Sequence, residues 1–246
     1  RGRSRRPRRF FALRPRLIEK APPCKACGII WLGDTMDYDG LVAETPTNRH
    51  VLPSDSRFYQ MVRATTRIQR FVNESALKRF DEVYYHDAEA NHDPASATHR
   101  REMWSLFYSK NDRIDVITDP RPHVARTWGD VMLGYSHGHL VKPEDLPGLF
   151  AAEHTEEWAI AGKHTKRYIH FGHKHASLTG EKDGAMLRQH PTLASRSAHA
   201  SRHGWTSLRR AHAEVYDKRK GAINMVTVGP DMIDLSATAD WNIPEE

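Results

Sequence analysis

The sequence predicts an α/β fold, and three observations support this. Short apolar segments of strand length alternate along the chain with longer segments of helical periodicity. The chain has 246 residues, of which 39% are hydrophobic, so it can bury one sizeable core. Polar residues follow at least four of the predicted strands directly, and open α/β sheets place their functional sites at the carboxyl ends of strands. We therefore expect the functional residues at these strand ends.

The first predicted strand covers residues 24–32, which are short, apolar and followed at once by Gly33 and Asp34. In residues 56–80, apolar side chains recur every three or four positions, which predicts an amphipathic helix covering one face of a sheet. The remaining predicted elements are strands at 82–85, 114–117, 131–135 and 168–171, helices at 102–108 and 143–160, and a C-terminal hairpin with strands at 211–218 and 223–228.

The net charge of +6 is distributed unevenly. Residues 1–20 carry +8, and the rest of the chain sums to −2, so the body gives no electrostatic argument for binding nucleic acid. We predict a basic, disordered arm at 1–23 and a single domain at 24–246. The arm is either a run of solvated basic residues without a binding role or a phosphate-binding segment. In the second case the candidate nucleic-acid contacts are Arg5, Arg6, Arg8 and Arg9.

No apolar run approaches the ~20 residues that a membrane span needs, and no secretory h-region is visible. We therefore expect no membrane partner. Two cysteines cannot form a disulfide framework, so we expect a reducing, cytoplasmic setting. Cys24 and Cys27 are predicted to be small core residues. His190 and His212 are predicted to lie mostly at the surface.

Short segments rich in carboxylate, amide and imidazole groups follow the strands in a fixed order. Each is a weak signal alone, but the ordered set is hard to obtain by chance. Oxygen and imidazole ligands without thiolate suit Mn²⁺, Fe or Zn²⁺. The segments are Gly33-Asp34-Thr35-Met36-Asp37, Asn91-His92-Asp93, His137-Gly138-His139 and Gly172-His173-Lys174-His175.

This ordered set resembles the calcineurin-like metallophosphoesterases over about residues 28–230. It is most similar to the phage and bacterial branch described as DNA-repair exonuclease-like, which residues 52–59 and 91–94 favour. The resemblance implies two facing mixed β-sheets flanked by helices in a four-layer sandwich. It also implies two divalent metal ions, most simply Mn²⁺ with Fe or Zn²⁺ as alternatives.

The resemblance also assigns a role to each matching residue. It makes Asp34 the carboxylate that bridges the two ions, and His92 the general acid, with Asp37 as its partner. The other implied ligands are Asn91, His137 and His173 for the second metal and His175 for the first.

The chain departs from the family pattern at two places. An Asp-x-His block is absent upstream of Asp34, and Ala90 stands where the family has Gly, at a position expected to need a positive φ. Three explanations are open for the missing block. The chain, which begins at Arg1, is a fragment; or it is a degenerate member with one metal; or nearby groups such as Asp39, His86 or Asp87 replace the lost ligands.

The sequence thus predicts a metal-dependent phosphoesterase, either a phosphodiesterase or a nuclease, acting on a phosphate ester such as DNA or a nucleotide. Two cations would neutralise the phosphate and clamp the attacking and leaving oxygens, and a histidine would protonate the leaving oxygen. The alternative is a catalytically impaired or truncated protein of this fold that binds nucleic acid or acts as a scaffold.

Overall fold

The computed structural model describes residues 16–52, 57–162, 165–194 and 206–232. Within these ranges the strands are β1 (Ala26–Trp31), β2 (Glu82–Asp87), β3 (Ile114–Val116), β4 (His123–Trp128), β5 (Val131–Ser136), β6 (Arg167–Phe171), β7 (Leu178–Lys182), β8 (Ala185–Gln189), β9 (Ala211–Asp217) and β10 (Gly221–Val228). The α-helices are α1 (Phe58–Leu77), α2 (Pro94–Phe107), α3 (Leu146–Glu153) and α4 (Thr155–Ile160). Single 3₁₀ turns lie at Pro143–Asp145 and Pro230–Met232.

Strands β1, β2 and β3 form a parallel three-stranded sheet in that order. One face is covered by α1 and α2. Val72 and Ala76 of α1 and Trp104 of α2 share a buried core with Ile29 and Tyr85 of the sheet. The apolar spacing of residues 56–80 therefore predicted the helix, but not its whole buried face, which also contains the polar residues Thr65, Gln69 and Asn73.

A five-stranded mixed sheet has the order β4-β5-β6-β8-β7. Its three central strands are parallel to one another, and the two edge strands are antiparallel to their neighbours. Helices α3 and α4 cover one face, where Phe150 packs against Ile169. On the other face Leu133 packs with Ile30 of the first sheet, and the Tyr84 and Tyr135 hydroxyls are 2.9 Å apart.

The predicted α/β class, with β-sheets flanked by helices, is confirmed. The three-stranded sheet is parallel throughout rather than mixed, because β1, β2 and β3 are joined by helical crossovers. Among the described residues, strands β9 and β10 pair only with each other, as the predicted C-terminal hairpin. The four-layer order of the predicted sandwich stays a prediction.

Several boundaries differ from the sequence prediction. The helix predicted at 102–108 begins earlier, at Pro94, because proline suits the first helical turn and the Asp39 carboxylate accepts hydrogen bonds from the Ala95 and Ser96 amides. The predicted helix at 143–160 is interrupted at His154. Strands β4, β7 and β8 were not predicted.

Residues 16–23 of the predicted arm lie within the described part of the chain. Residues 16–20 are helical, and Leu17 is buried with Leu193 and Val228. Residues 1–15 lie outside the described part of the chain, and with them the four arginines proposed to contact nucleic acid. The division into an arm and one domain stays a prediction.

None of the helices in the described ranges has the length and apolar character needed to cross a bilayer. Cys24 and Cys27 are free thiols that pack against the core beneath α1 and α2, as predicted.

Candidate metal centre

Four turns bring the predicted site residues together at one edge of the two sheets. Strands β1 and β2 are parallel neighbours, so the turns holding Asp34 and Asn91 leave the first sheet on the same side. Strands β5 and β6 are also parallel neighbours, and His137 and His173 follow them in the same way. Because the sheets pack face to face through Leu133 and its neighbours, the two pairs of turns meet.

The side chains converge on one atom, Nε2 of His137. It lies 3.1 Å from Asn91 Oδ1, 3.2 Å from Asp34 Oδ2 and 3.3 Å from His173 Nδ1. Asp34, His137 and His173 each offer a ligand atom, and these atoms all lie within 4.8 Å of one another. His137 is only 2% exposed, so water does little to screen these contacts.

The other ring nitrogen of His137 fixes the tautomer. Nδ1 lies 2.6 Å from the main-chain oxygen of Leu32, and since a carbonyl only accepts, Nδ1 carries the proton and donates it. In the neutral ring, Nε2 then presents a lone pair toward the oxygens of Asn91 and Asp34, which repel it. A cation at Nε2, either a proton or a metal ion, removes this conflict. Metal-ligating histidines are held in the same way by a partner on their second nitrogen.

The electrostatics show the same preference for positive charge. Burial raises the pKa of Asp34, but the hydrogen bond and charge of His137 outweigh it, and the net pKa is lowered. Burial likewise lowers the pKa of His137, but Asp34 and the Leu32 carbonyl outweigh it, and the net pKa is raised. The site therefore holds the Asp34 carboxylate as an anion next to the His137 ring, which favours a bound cation.

The backbone at these turns is strained. Asp34, His173 and His175 have φ values of 49°, 66° and 57°, in the left-handed region that residues with a Cβ rarely adopt. Such conformations persist only where the surrounding structure imposes them, and they concentrate at functional sites. Gly33 precedes Asp34 with φ of 88°, and a Cβ there would come within 2.6 Å of His137 Nδ1.

His92 is attached to the same turn. Its backbone amide donates to Asp34 Oδ1 at 3.1 Å, and its Nδ1 lies 2.8 Å from the main-chain oxygen of Asp37. The Asp37 carboxylate is farther away, at 3.9 Å from Nδ1, and its side chain is 66% exposed. Asp37 therefore orients His92 through its carbonyl rather than through the predicted carboxylate.

Two further histidines lie beside the cluster. His175 is exposed and is not among the three residues whose ligand atoms converge. The ring of His139 is centred 5.2 Å from that of His137, and its buried Nδ1 has no hydrogen-bond partner among the residues that the structure describes. Burial lowers the pKa of His139 to about 4, and the neighbouring His137 and His173 add to this effect.

A buried ionic network behind the site was missed by the sequence analysis. Arg100 on α2 binds Asp87 at 2.6 Å through Nε and Asp93 at 2.8 Å through Nη2. Asp93 in turn accepts the amide of Met36, and Asp87 accepts the hydroxyl of Thr35. One guanidinium thus ties the Asp34 turn to the turn that carries Asn91 and His92.

The structure also resolves the departures noted in the sequence. Ala90 is not among the described residues with positive φ, so the predicted strain there is wrong; Ala90 is instead buried. Two of the suggested substitute ligands are otherwise engaged, because Asp39 binds the start of α2 and Asp87 binds Arg100. His86 is buried within β2, and neither of its ring nitrogens has a hydrogen-bond partner in the described part of the chain. The structure thus provides no replacement for the first block at Asp39 or Asp87.

The search of protein-family models and the search of curated proteins each found no match. Similar solved structures include a predicted phosphoesterase from Streptococcus pneumoniae TIGR4 (16% identity, TM-score 0.26, 52% of this chain). They also include wild-type Vps29 complexed with Zn²⁺ from Entamoeba histolytica (11% identity, TM-score 0.35, 83% of this chain and 97% of that chain). Vacuolar protein sorting 29 from Cryptosporidium parvum has 16% identity and a TM-score of 0.30, over 75% of this chain and 92% of that one.

This chain spans 66% of the streptococcal protein's length, just under two thirds. All three TM-scores are low, so the function of this chain has to be argued from the site itself.

Proposed function

We propose that this chain is a metal-dependent phosphoesterase. The observation that carries the proposal is the convergence of Asp34, Asn91 and His173 on Nε2 of His137, from turns that follow four different strands. A lone pair facing two acceptor oxygens is unfavourable unless a cation lies between them. The donor set of carboxylate, amide oxygen and imidazole, without thiolate, fits Mn²⁺, Fe or Zn²⁺.

In this proposal Asp34, Asn91, His137 and His173 hold one divalent ion. Asp34 and His175 would hold a second ion, which would give the two-ion centre predicted from the sequence. Metal ions at such a site neutralise phosphate charge and lower the pKa of a coordinated water. The chain itself fixes the ligands. Leu32 holds the His137 ring, and the Gly33 turn holds Asp34.

His92 is proposed to deliver a proton to the leaving oxygen. Its Nδ1–H donates to the Asp37 carbonyl, so Nε2 is the nitrogen that exchanges a proton with substrate. The ring is 28% exposed, which a group that meets substrate requires. The amide of His92 binds Asp34, so the proton donor keeps a fixed position relative to the ligand set.

The proposed substrate is a phosphate ester and, more specifically, DNA or a nucleotide. Arginines 5, 6, 8 and 9 of the arm would contact the backbone phosphates of a nucleic acid. Their contribution is measured by comparing the salt dependence of DNA binding with and without residues 1–20, because each neutralised phosphate steepens the salt slope. Equal slopes would remove the arm from the proposal.

The function is tested by hydrolysis of bis-p-nitrophenyl phosphate in Mn²⁺, in Zn²⁺ and in chelator. We expect metal-dependent hydrolysis of this diester. Hydrolysis of a dinucleotide, whose alkoxide leaving group needs a proton, should fall about 10²–10⁴-fold in His92→Ala, the usual contribution of a general acid. His99→Ala is the matched control, because His99 is an exposed histidine on the adjacent helix α2. His137→Ala should abolish hydrolysis and weaken metal binding together.

Absence of hydrolysis in every metal, with metal still bound, would refute the enzymatic proposal. It would favour the scaffold or nucleic-acid-binding alternative. Equal losses in His92→Ala and His99→Ala would remove His92 from its proposed role.

A further inference from the structure

A second group of histidines lies beside the hairpin β9–β10, away from the Asp34 site. His170 is on β6, His190 follows β8 directly, and Glu214 is on β9. Each offers a ligand atom, and these atoms all lie within 4.8 Å of one another. We call these three residues the His170 cluster. Most of the histidines near the C-terminus were predicted to lie at the surface, but His190 and His212 are partly buried and contact each other.

The His170 cluster is separate from the candidate centre described above. In the sheet, His170 pairs with Tyr135 of β5 and Arg188 of β8, both of which are on strands rather than on the site turns. Its ring stacks on that of His190, with centroids 5.1 Å apart and an interplanar angle of 19°. In the described part of the chain, no hydrogen bond joins the cluster to Asp34, His137 or His173.

We propose that the His170 cluster binds a transition-metal ion, most simply Zn²⁺, in a structural role. Two imidazoles and a carboxylate are ligands that zinc accepts. Zinc bonds of about 2.0–2.1 Å in a tetrahedron place ligand atoms about 3.3 Å apart. Nδ1 of His170 and Nε2 of His190 are already 2.8 Å apart, so these rings need only a small change of orientation.

One carboxylate oxygen of Glu214, Oε1, has no contact among those described. The Tyr216 hydroxyl donates to its Oε2 at 2.6 Å, and Arg188 Nε lies 3.0 Å from the same atom. The contacts described for Glu214 thus end on Oε2, which leaves Oε1 for a metal ion. The positive charge of Arg188 opposes a cation, so the site depends on this carboxylate for its affinity.

The same atoms also satisfy one another without a metal. The Tyr216 hydroxyl donates to Glu214, so His170 Nε2–H donates to the Tyr216 oxygen at 2.9 Å. His190 Nε2–H then donates to His170 Nδ1, and His212 Nδ1–H donates to His190 Nδ1 at 3.2 Å. A metal ion would use the lone pairs of His170 and His190, so the metal-bound and hydrogen-bonded arrangements exclude each other. This competition makes the proposal testable.

A structural role follows from where the ligands lie. The Glu214 side chain is 6% exposed and His170 is 7% exposed, which leaves little room for a substrate. His170 belongs to the five-stranded sheet and His190 directly follows its strand β8, whereas Glu214 belongs to the hairpin. In the described part of the chain, the hairpin pairs with no strand of that sheet. An ion here would fasten the hairpin to the sheet. His212 contacts the other ring nitrogen of His190, Nδ1, at 3.2 Å.

The test measures Zn²⁺ binding by titration calorimetry and elemental analysis in the full chain. The background variant is His137→Ala, which disables the candidate centre. We expect it to retain one zinc equivalent per chain, and to lose that equivalent when His190→Gln is added. The matched control, His50→Gln, changes an exposed histidine and should retain the zinc. Zinc at 100 times its Kd should raise the Tm of the His137→Ala chain by about 5–10 °C, but not that of the doubly substituted chain.

Glu214→Gln provides a second route if His190→Gln does not fold, as judged by circular dichroism without metal. It should also lose the zinc equivalent. Unchanged zinc binding in both His190→Gln and Glu214→Gln would overturn the proposal, as would the absence of any zinc in the His137→Ala chain. These readouts do not depend on phosphoesterase activity, so either proposal can fail without the other.

Discussion

Replacing Arg100 by Met should destabilise the fold more than any single substitution of an exposed charge. The guanidinium is 6% exposed, and it forms ion pairs with Asp87 at 2.6 Å and Asp93 at 2.8 Å. Methionine fills a similar volume but leaves two carboxylates buried beside each other without a counter-charge. Breaking a buried ion pair by removing one partner costs about 3–5 kcal/mol. We expect a loss of that size in the free energy of unfolding.

The loss should depend on pH because Asp93 titrates near neutrality. Burial raises the pKa of Asp93 to about 7, although the charge of Arg100 lowers it. The native state therefore binds more protons than the unfolded state between pH about 4 and 7, and this group's contribution to stability falls as pH rises through that window. Without Arg100 the pKa of Asp93 rises further. The cost of Arg100→Met should thus be larger at pH 8 than at pH 6.

The assay is urea unfolding followed by circular dichroism at both pH values. Arg101→Met is the matched control, because Arg101 is the next residue of α2 and is also buried, yet its hydrogen bonds are to Thr98 and to the main-chain oxygen of Asp119. We expect the control to cost about 1 kcal/mol. Equal costs for the two variants, or a cost of Arg100→Met that is independent of pH, would refute the assignment of Arg100 as the counter-charge of both carboxylates.

Two further substitutions test the site turn and the core. Gly33→Ala adds a Cβ within 2.6 Å of His137 Nδ1 at a left-handed φ of 88°. In the His190→Gln background, it should weaken Zn²⁺ binding measured by calorimetry about 10–100-fold. An unchanged affinity would show that the turn tolerates a side chain. Burial lowers the pKa of His86 to about 4, so its contribution to stability, up to about 3 kcal/mol, should be lost as pH falls from about 6.5 to 4. His86→Leu should flatten this pH dependence in thermal melts, and an unaltered slope would contradict the reasoning.

The positions of the candidate ligands could be predicted because their signal is local. Each follows an apolar strand at a turn, and parallel neighbouring strands bring such turns to one edge. The group through which Asp37 contacts His92 could not be predicted in the same way. The sequence places Asp37 in the turn, but only the backbone path shows that its carbonyl, at 2.8 Å, is closer to the ring than its carboxylate.

The ionic network behind the site could not be predicted from the sequence because its members do not share a motif. Arg100 lies in a helix whose start was placed several residues too late, and nothing local distinguishes it from the neighbouring Arg101. Asp87 ends a strand that was predicted to stop at Tyr85. Charged side chains in such positions are usually exposed, and only the packing of α2 on the first sheet buries these.

The β7–β8 hairpin, in contrast, was not predicted although its turn residues indicate a hairpin. Its turn is Asp183-Gly184, with φ values of 46° and 76°, as expected for a two-residue turn with two left-handed residues. The flanking strand β7 is largely exposed and polar, so the hydrophobic pattern did not reveal it. His190 and Glu214 could not be grouped from the sequence either, since they meet only because β9 packs beside the sheet that carries His170.

The candidate ligands come in equal shares from the two sheets, and this gives a bound ion a mechanical consequence. Asp34 and Asn91 extend from the three-stranded sheet, whereas His137 and His173 extend from the five-stranded one. An ion held by all four would act as a cross-link between chain segments that are far apart in sequence, and would limit how far the sheets separate during partial unfolding. Sliding of one sheet over the other would then be coupled directly to release of the ion.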